Sequence, residues 1–143
     1  MTQRGADLFI RADADTVIGT GHVMRTLALA QAWGHRDQVT FVCSSLPNWL
    51  SNRISVEGFS IYEIPAPHPS PADLSDTLDC LSGAADPWVV VDGYCFDLDY
   101  QQALAKVSRV LLMDDGVFTD EHVADLLVNQ NMGAEILSYT KCD

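Results

Sequence analysis

LFIRADADTVIGTGHVMRTLALAQAW, residues 8–33, decides the fold. Leu8-Phe9-Ile10 reads as a buried strand, Asp13 to Thr20 as the loop leaving it, and Gly19-Thr20-Gly21-His22 as the turn into a helix. That helix carries Val23, Leu27 and Ala30 at i, i+4 and i+7, with Met24 and Trp33 beside the stripe. A strand feeding a glycine turn at a helix start builds an anion site, because the first backbone N–H groups of the helix have no intrahelical partner and point outward. His22 stands at the tip of that turn. The positive field of the helix N-terminus disfavours an imidazolium, which leaves the ring able to accept a proton. The plainer alternative is a helix-start histidine that satisfies its own local hydrogen bonds.

Outward from this stretch, short apolar runs alternate with helical patterns. Leu8 to Ile10, Val39 to Cys43, Phe59 to Ile64, Trp88 to Val91, Val110 to Met113 and Leu126 to Val128 are predicted strands. Gly21 to Gly34, Trp49 to Glu57, Ala72 to Ser82 and Asp97 to Val107 are predicted helices. The alternation implies an α/β fold with a Rossmann-like, doubly wound, mostly parallel sheet covered on both faces. Pro65 to Pro71 holds four prolines and reads as a stiff loop into the third helix, too short for an inter-domain linker. One domain is expected over residues 1–134, with the pattern fading across 135–143.

Composition narrows the function classes. With 48% hydrophobic and 20% charged residues the chain can bury an ordinary core, and its net charge of -12 argues against nucleic acid or anionic lipid as partners. No apolar stretch approaches the roughly 20 residues of a membrane span. Arg4, Asp7, Arg11 and Asp13 break up the N-terminus where a secretory core would lie, so a cytoplasmic protein is expected. Cys43, Cys80, Cys95 and Cys142 lack C-x-x-C or metal-ligand spacing and read as reduced thiols.

The polar residues gather at predicted strand ends. Asp13, Ser44 and Ser45, Asp92 and Tyr94, Asp114 and Asp115, and Asn129 and Asn131 lie at or just past carboxyl ends, which share one edge in a parallel sheet and form its usual ligand edge. Asp92, Asp114 and Asp115 fit loop capping equally well. His35, His68 and His122 fall in loops or at element ends and are expected to be solvated.

Ile10-Arg11-Ala12-Asp13, Ile18-Gly19-Thr20-Gly21-His22-Val23-Met24-Arg25, Val90-Val91-Asp92-Gly93-Tyr94, Leu111-Leu112-Met113-Asp114-Asp115 and Leu126-Leu127-Val128-Asn129-Gln130-Asn131 carry a more specific signal. In that order they resemble the UDP-sugar hydrolases of pseudaminic acid biosynthesis, which cleave UDP-2,4-diacetamido-2,4,6-trideoxy-β-L-altropyranose. Those enzymes are similar to glycosyltransferases of the GT-B class and are grouped with spore-coat polysaccharide proteins. The resemblance runs from about Leu8 to Ala134. It implies the N-terminal half of a GT-B fold, with 135–143 starting the linker to a C-terminal domain that holds the uracil and diphosphate. It also implies that His22 activates water, which displaces UDP from the anomeric carbon with inversion. Arg11, Asp13, Gly19, Gly21, Arg25, Tyr94, Asp115 and Asn131 become the implied substrate-binding residues. Tyr94 would reach over the sugar, and Arg25, one turn past His22, would orient a substrate oxygen or pair with Asp13. No metal or other cofactor is implied, since helix N-termini and side chains stabilise the diphosphate. The chain alone is expected to be inactive.

Competing readings leave other signatures. Asp13-Ala14-Asp15-Thr16-Val17 resembles the D-x-D-x-[TV] motif of haloacid-dehalogenase-like phosphatases, with Asp114-Asp115 as the magnesium pair. That chemistry needs a lysine, and the chain offers only Lys106 on a predicted helix and Lys141 near its end. A receiver domain lacks its lysine likewise. The glycines fail G-x-G-x-x-G at Met24, and no G-x-x-x-x-G-K-[ST] occurs. A non-catalytic sugar-nucleotide-binding module remains the alternative of a different class.

Overall fold

The computed structural model describes residues 5–67, 69–116 and 121–139. Six strands form one sheet: β1 (Leu8–Ala12), β2 (Val39–Cys43), β3 (Ser60–Glu63), β4 (Trp88–Asp92), β5 (Arg109–Met113) and β6 (Leu126–Val128). The helices are α1 (Gly21–Ala32), α2 (Asn48–Val56), α3 (Pro71–Leu81) and α4 (Leu98–Ala105), with 3₁₀ turns at Arg36–Gln38 and Ala134–Ile136. Every strand pair is parallel, and the order is β3-β2-β1-β4-β5-β6. This is the Rossmann-like arrangement, all parallel where the sequence implied mostly parallel.

Alternation along the strands builds two cores. Leu8, Ile10, Val39, Phe41 and Val90 point to the face covered by α1 and α2, where Val23, Leu27, Leu50 and Ile54 meet them. Phe9, Val42, Val89, Val91 and Leu112 point to the face covered by α3 and α4, against Leu81, Tyr100 and Leu104. The same period sends Arg11 and Asp92 to opposite faces, and the two polar clusters described below depend on it.

Element ends differ from the sequence reading for local reasons. α1 stops at Ala32, short of the predicted Gly34, because Gly34 takes a left-handed φ of +92° that ends the helix. Of the predicted strand Phe59 to Ile64, only Ser60–Glu63 pairs. It is a sheet edge bonded to β2 alone, with buried Phe59 and Ile64 flanking it. α3 begins where the Ser70 hydroxyl accepts from Ala72 N–H and Pro71 pre-sets the first turn. Among the described residues no helix is long and apolar enough to cross a membrane. Cys43 is buried, and burial pushes its thiol up to about 12, while Cys80 and Cys95 are also unbridged. Cys142 lies outside the described residues.

The order reverses between β1 and β4, and a ligand crevice opens at such a switch point, past the strand ends. Ala12 and Asp92 are register partners there, so the β1–α1 loop and the β4–α4 loop start side by side. Ile10 sits fully buried on central β1, whereas Ile61 is half-buried on edge β3. Ile10→Ala should destabilise by about 3 kcal/mol in urea denaturation and Ile61→Ala by about 1 kcal/mol or less. Equal losses would contradict this assignment of centre and edge.

Candidate functional site

The loop from β1 to α1 is shaped by its own aspartate. Asp15 Oδ1 accepts from Val17 N–H at 2.7 Å and Ile18 N–H at 2.6 Å, and Gly19 N–H returns to the Asp15 carbonyl at 2.9 Å. The return requires φ +81° at Gly19, which favours glycine. Thr20 then precedes α1 without a side-chain cap, and the first turn holds no acidic residue. Neither the Thr20 side chain nor a first-turn acid therefore occupies the N–H groups at this helix start. A Cβ at Gly21 would meet no protein atom within 4 Å, so packing does not demand that glycine.

His22 enters the switch point from α1. Its Nδ1 lies 2.7 Å from Asp92 Oδ1, with both residues buried. The facing carboxylate assigns the ring proton to Nδ1, which leaves Nε2 as the basic nitrogen. Arg25, one turn further on, donates to both Asp92 oxygens and places Nη1 3.0 Å from Asp115 Oδ2. Those hydrogen bonds and charges, Asp92 first, outweigh burial and hold the Arg25 guanidinium well above its ordinary range. Tyr94, 61% exposed, stands edge-on to His22 with ring centroids 4.7 Å apart, and its hydroxyl lies 3.4 Å from Asp115 Oδ2. Asn131 reaches the same point, donating to the Asp115 carbonyl at 3.3 Å.

Arg11 and Asp13 form a second cluster behind this one. Asp13 Oδ1 takes Ser44 N–H at 2.7 Å, Ser45 N–H at 3.2 Å and the Arg11 guanidinium at 2.9 Å. Burial works to raise the Asp13 pKa, yet Arg11 and the Ser44 bonds outweigh it and hold the carboxyl below its ordinary value. Arg11 has no exposed surface, so the structure places it beneath the site wall, away from a ligand surface.

A cleft of about 200 Å³ joins the two clusters, lined by Asp13, Ile18, His22, Asp92, Tyr94 and Phe96 among others. A larger hollow of about 320 Å³, lined by Ser44, Ser45, Asn48, Ser51 and Glu63 among others, lies past β2 and β3. Asp13, His22, Asp92 and Tyr94 converge on the smaller one, which is the candidate site.

The sequence places Arg25 to orient a substrate oxygen or to pair with Asp13; its ion pairs are with Asp92 and Asp115, not with Asp13. His122 was expected in solvent. It is buried, Nε2 2.9 Å from Asp114 Oδ2, with Tyr139 edge-on to its ring. His35 is exposed as expected, and His68 lies outside the described residues. Asp92 counted equally as a loop cap, although its place at the end of β4 beside β1 was the available signal. Asp73 went unnoticed: it reads as a first-turn helix acid, but Asp73, Thr77 and Leu81 form the buried stripe of α3. The carboxylates that a phosphatase would use are separately committed, Asp13 to Arg11 and two N–H groups, Asp114 to Gly116 N–H and His122, Asp115 to Arg25. Among the described residues no three or more His, Cys, Asp or Glu side chains are grouped to hold a metal.

A curated relative from Campylobacter jejuni, named UDP-2,4-diacetamido-2,4,6-trideoxy-beta-L-altropyranose hydrolase, is 26% identical over 135 residues. The match covers 92% of this chain but 44% of that relative, so the chain spans less than half its length. No family model and no solved structure matches the chain.

Asp13 links the site to acid stability. A carboxyl held below its unfolded value of about 3.9 contributes fully above that pH, and the contribution disappears as pH falls through the lower folded value. Urea denaturation between about pH 5 and pH 2 should therefore show a shallower loss of stability for Asp13→Asn than for the wild type. Parallel curves would contradict the pairing with Arg11.

Proposed function

We propose that this chain is the sugar-side part of a cytoplasmic hydrolase that cleaves a UDP-linked diacetamido-trideoxy sugar at the anomeric carbon. The single observation that carries the reading is the Asp92–His22 pair, set beside an uncapped helix start at the switch point of the sheet. The distant similarity to a UDP-sugar hydrolase supplies the substrate class and a place in a sugar-nucleotide pathway.

In the proposed reaction His22 Nε2 takes a proton from water while the water oxygen attacks the anomeric carbon. The bond from that carbon to the diphosphate oxygen breaks, and UDP leaves with the electron pair. A single displacement inverts the configuration and requires no covalent intermediate. Asp92 keeps the ring proton on Nδ1 and stabilises the imidazolium that forms, a role like that of the aspartate in a catalytic triad. Arg25 holds Asp92 through both oxygens, and Tyr94 covers the sugar beside His22. The N–H groups at the start of α1 favour the negative charge that grows on the leaving group. Since the chain spans less than half of its relative, the uridine falls to a further domain in this proposal.

In the full-length protein, UDP release should continue in excess EDTA. His22→Asn should lower kcat by about 10² to 10⁴, the usual worth of a general base, with normal folding by circular dichroism. Asp92→Asn should lower it by at least about 10², because the wrong tautomer becomes available. Turnover of His22→Asn within twofold of wild type would remove that residue from the mechanism.

A further inference from the structure

Asp73, in the first turn of α3, is a fully buried carboxylate that the proposed chemistry does not use. It grips Arg11 through both oxygens, Nε to Oδ1 at 3.1 Å and Nη2 to Oδ2 at 2.5 Å. Its Oδ1 also accepts the Tyr100 hydroxyl at 2.7 Å and the Thr77 hydroxyl at 3.4 Å, so α3 and α4 both fix its position. The third guanidinium nitrogen, Nη1, meets Asp13 Oδ1 at 2.9 Å and the Val42 carbonyl at 3.4 Å, and the guanidinium lies 5.0 Å from the Phe96 ring centroid. Asp13 and Phe96 line the cleft beside His22, and Asp73 does not.

Stability alone gives little reason for this arrangement, because well-packed apolar residues in place of a buried ion pair are often neutral or stabilising. Its geometry has a consequence that apolar residues would not reproduce. With two nitrogens held by Asp73, Arg11 has one left for Asp13. The hydrogen bonds to Asp13 from Arg11, the Ser44 N–H and the Ser45 N–H all end on Oδ1, and Asp13 lines the cleft, so Oδ2 is the oxygen left for a ligand. With Asp73 neutralised, Asp13 would be the remaining counter-charge, and the planar guanidinium would close on both its oxygens.

We propose that Asp73 is a positioning residue for ligand recognition: by restricting Arg11 to one Asp13 oxygen it keeps Oδ2 open to accept an N–H or O–H of a sugar beside His22. This rests on the proposed function for the nature of the ligand. Asp73 acts through Asp13, so its effect belongs to binding more than to turnover.

The test is steady-state UDP release by the full-length protein, with the UDP-linked diacetamido-trideoxy sugar as substrate. Asp73→Asn should raise KM by about tenfold, the worth of one hydrogen bond to a charged group, and leave kcat within about threefold. Asp13→Asn should do the same, and adding Asp73→Asn to it should change KM by less than about twofold, since both act on one interaction. A KM for Asp73→Asn within twofold of wild type, or an unchanged increment in the Asp13→Asn background, would overturn the proposal. If Asp73→Asn fails to fold, Tyr100→Phe decides. It loosens Asp73 without removing charge and should raise KM by about two- to threefold, again only while Asp13 is present; an unchanged KM counts against the proposal. Should the wild type release no UDP, the hydrolase reading fails by itself. The positioning role is then read from a crystal structure of Asp73→Asn: Arg11 on both Asp13 oxygens supports it, and Arg11 still on Oδ1 alone overturns it.

Discussion

The 2.7 Å hydrogen bond between His22 Nδ1 and Asp92 Oδ1 joins the sheet topology to the chemistry proposed for it. It spans 70 residues of sequence and exists because β1 and β4 are neighbours, with Ala12 opposite Asp92. In a sheet where β4 followed β3 on the other side, His22 would emerge beside a different strand end. Arg25 completes the join, since helical periodicity puts it one turn past His22 on the same side of α1. An imidazole fixed in this way keeps one nitrogen basic and aimed, and general-base catalysis needs geometry before it needs a particular pKa.

The same constraint explains why polar groups appear on both faces of a sheet whose buried side chains are otherwise apolar. Asp92 points to the α1 face and is met by Arg25, whereas Arg11 points to the α3 and α4 face and is met by Asp73 and Asp13. Each buried charge has a partner within hydrogen-bond distance. Removal of one partner from such a pair costs on the order of 3–5 kcal/mol, because the other is left buried without compensation. The pairs therefore hold the cleft wall in one arrangement, with Asp13, Asp92 and His22 facing a common space.

Much of this was legible before the fold was known. Apolar runs of strand length between amphipathic segments announced a parallel sheet, and a parallel sheet collects its polar strand ends at one edge. That was enough to bring Asp13, His22, Tyr94, Asp115 and Asn131 to one region. What stayed hidden depended on long-range pairing. Arg11 was implied only as a substrate-binding residue, and nothing local identified its buried partner Asp73, 62 residues away, because a first-turn helix acid has an ordinary capping role. His122 was misplaced for a similar reason. Its neighbours look loop-like, and its partner Asp114 stands eight residues back, just past the end of β5. Helix ends shifted by a residue or two where caps competed, and the edge strand shrank where pairing ended.

Attack on carbon, with UDP leaving intact, is the central claim, and hydrolysis in ¹⁸O-enriched water tests it most directly. Mass spectrometry of the products should find the label in the anomeric hydroxyl of the released sugar and none in UDP. Label in a phosphate group would place the bond cleavage at phosphorus, and the water-activating role assigned to His22 and Asp92 at the anomeric carbon would be wrong.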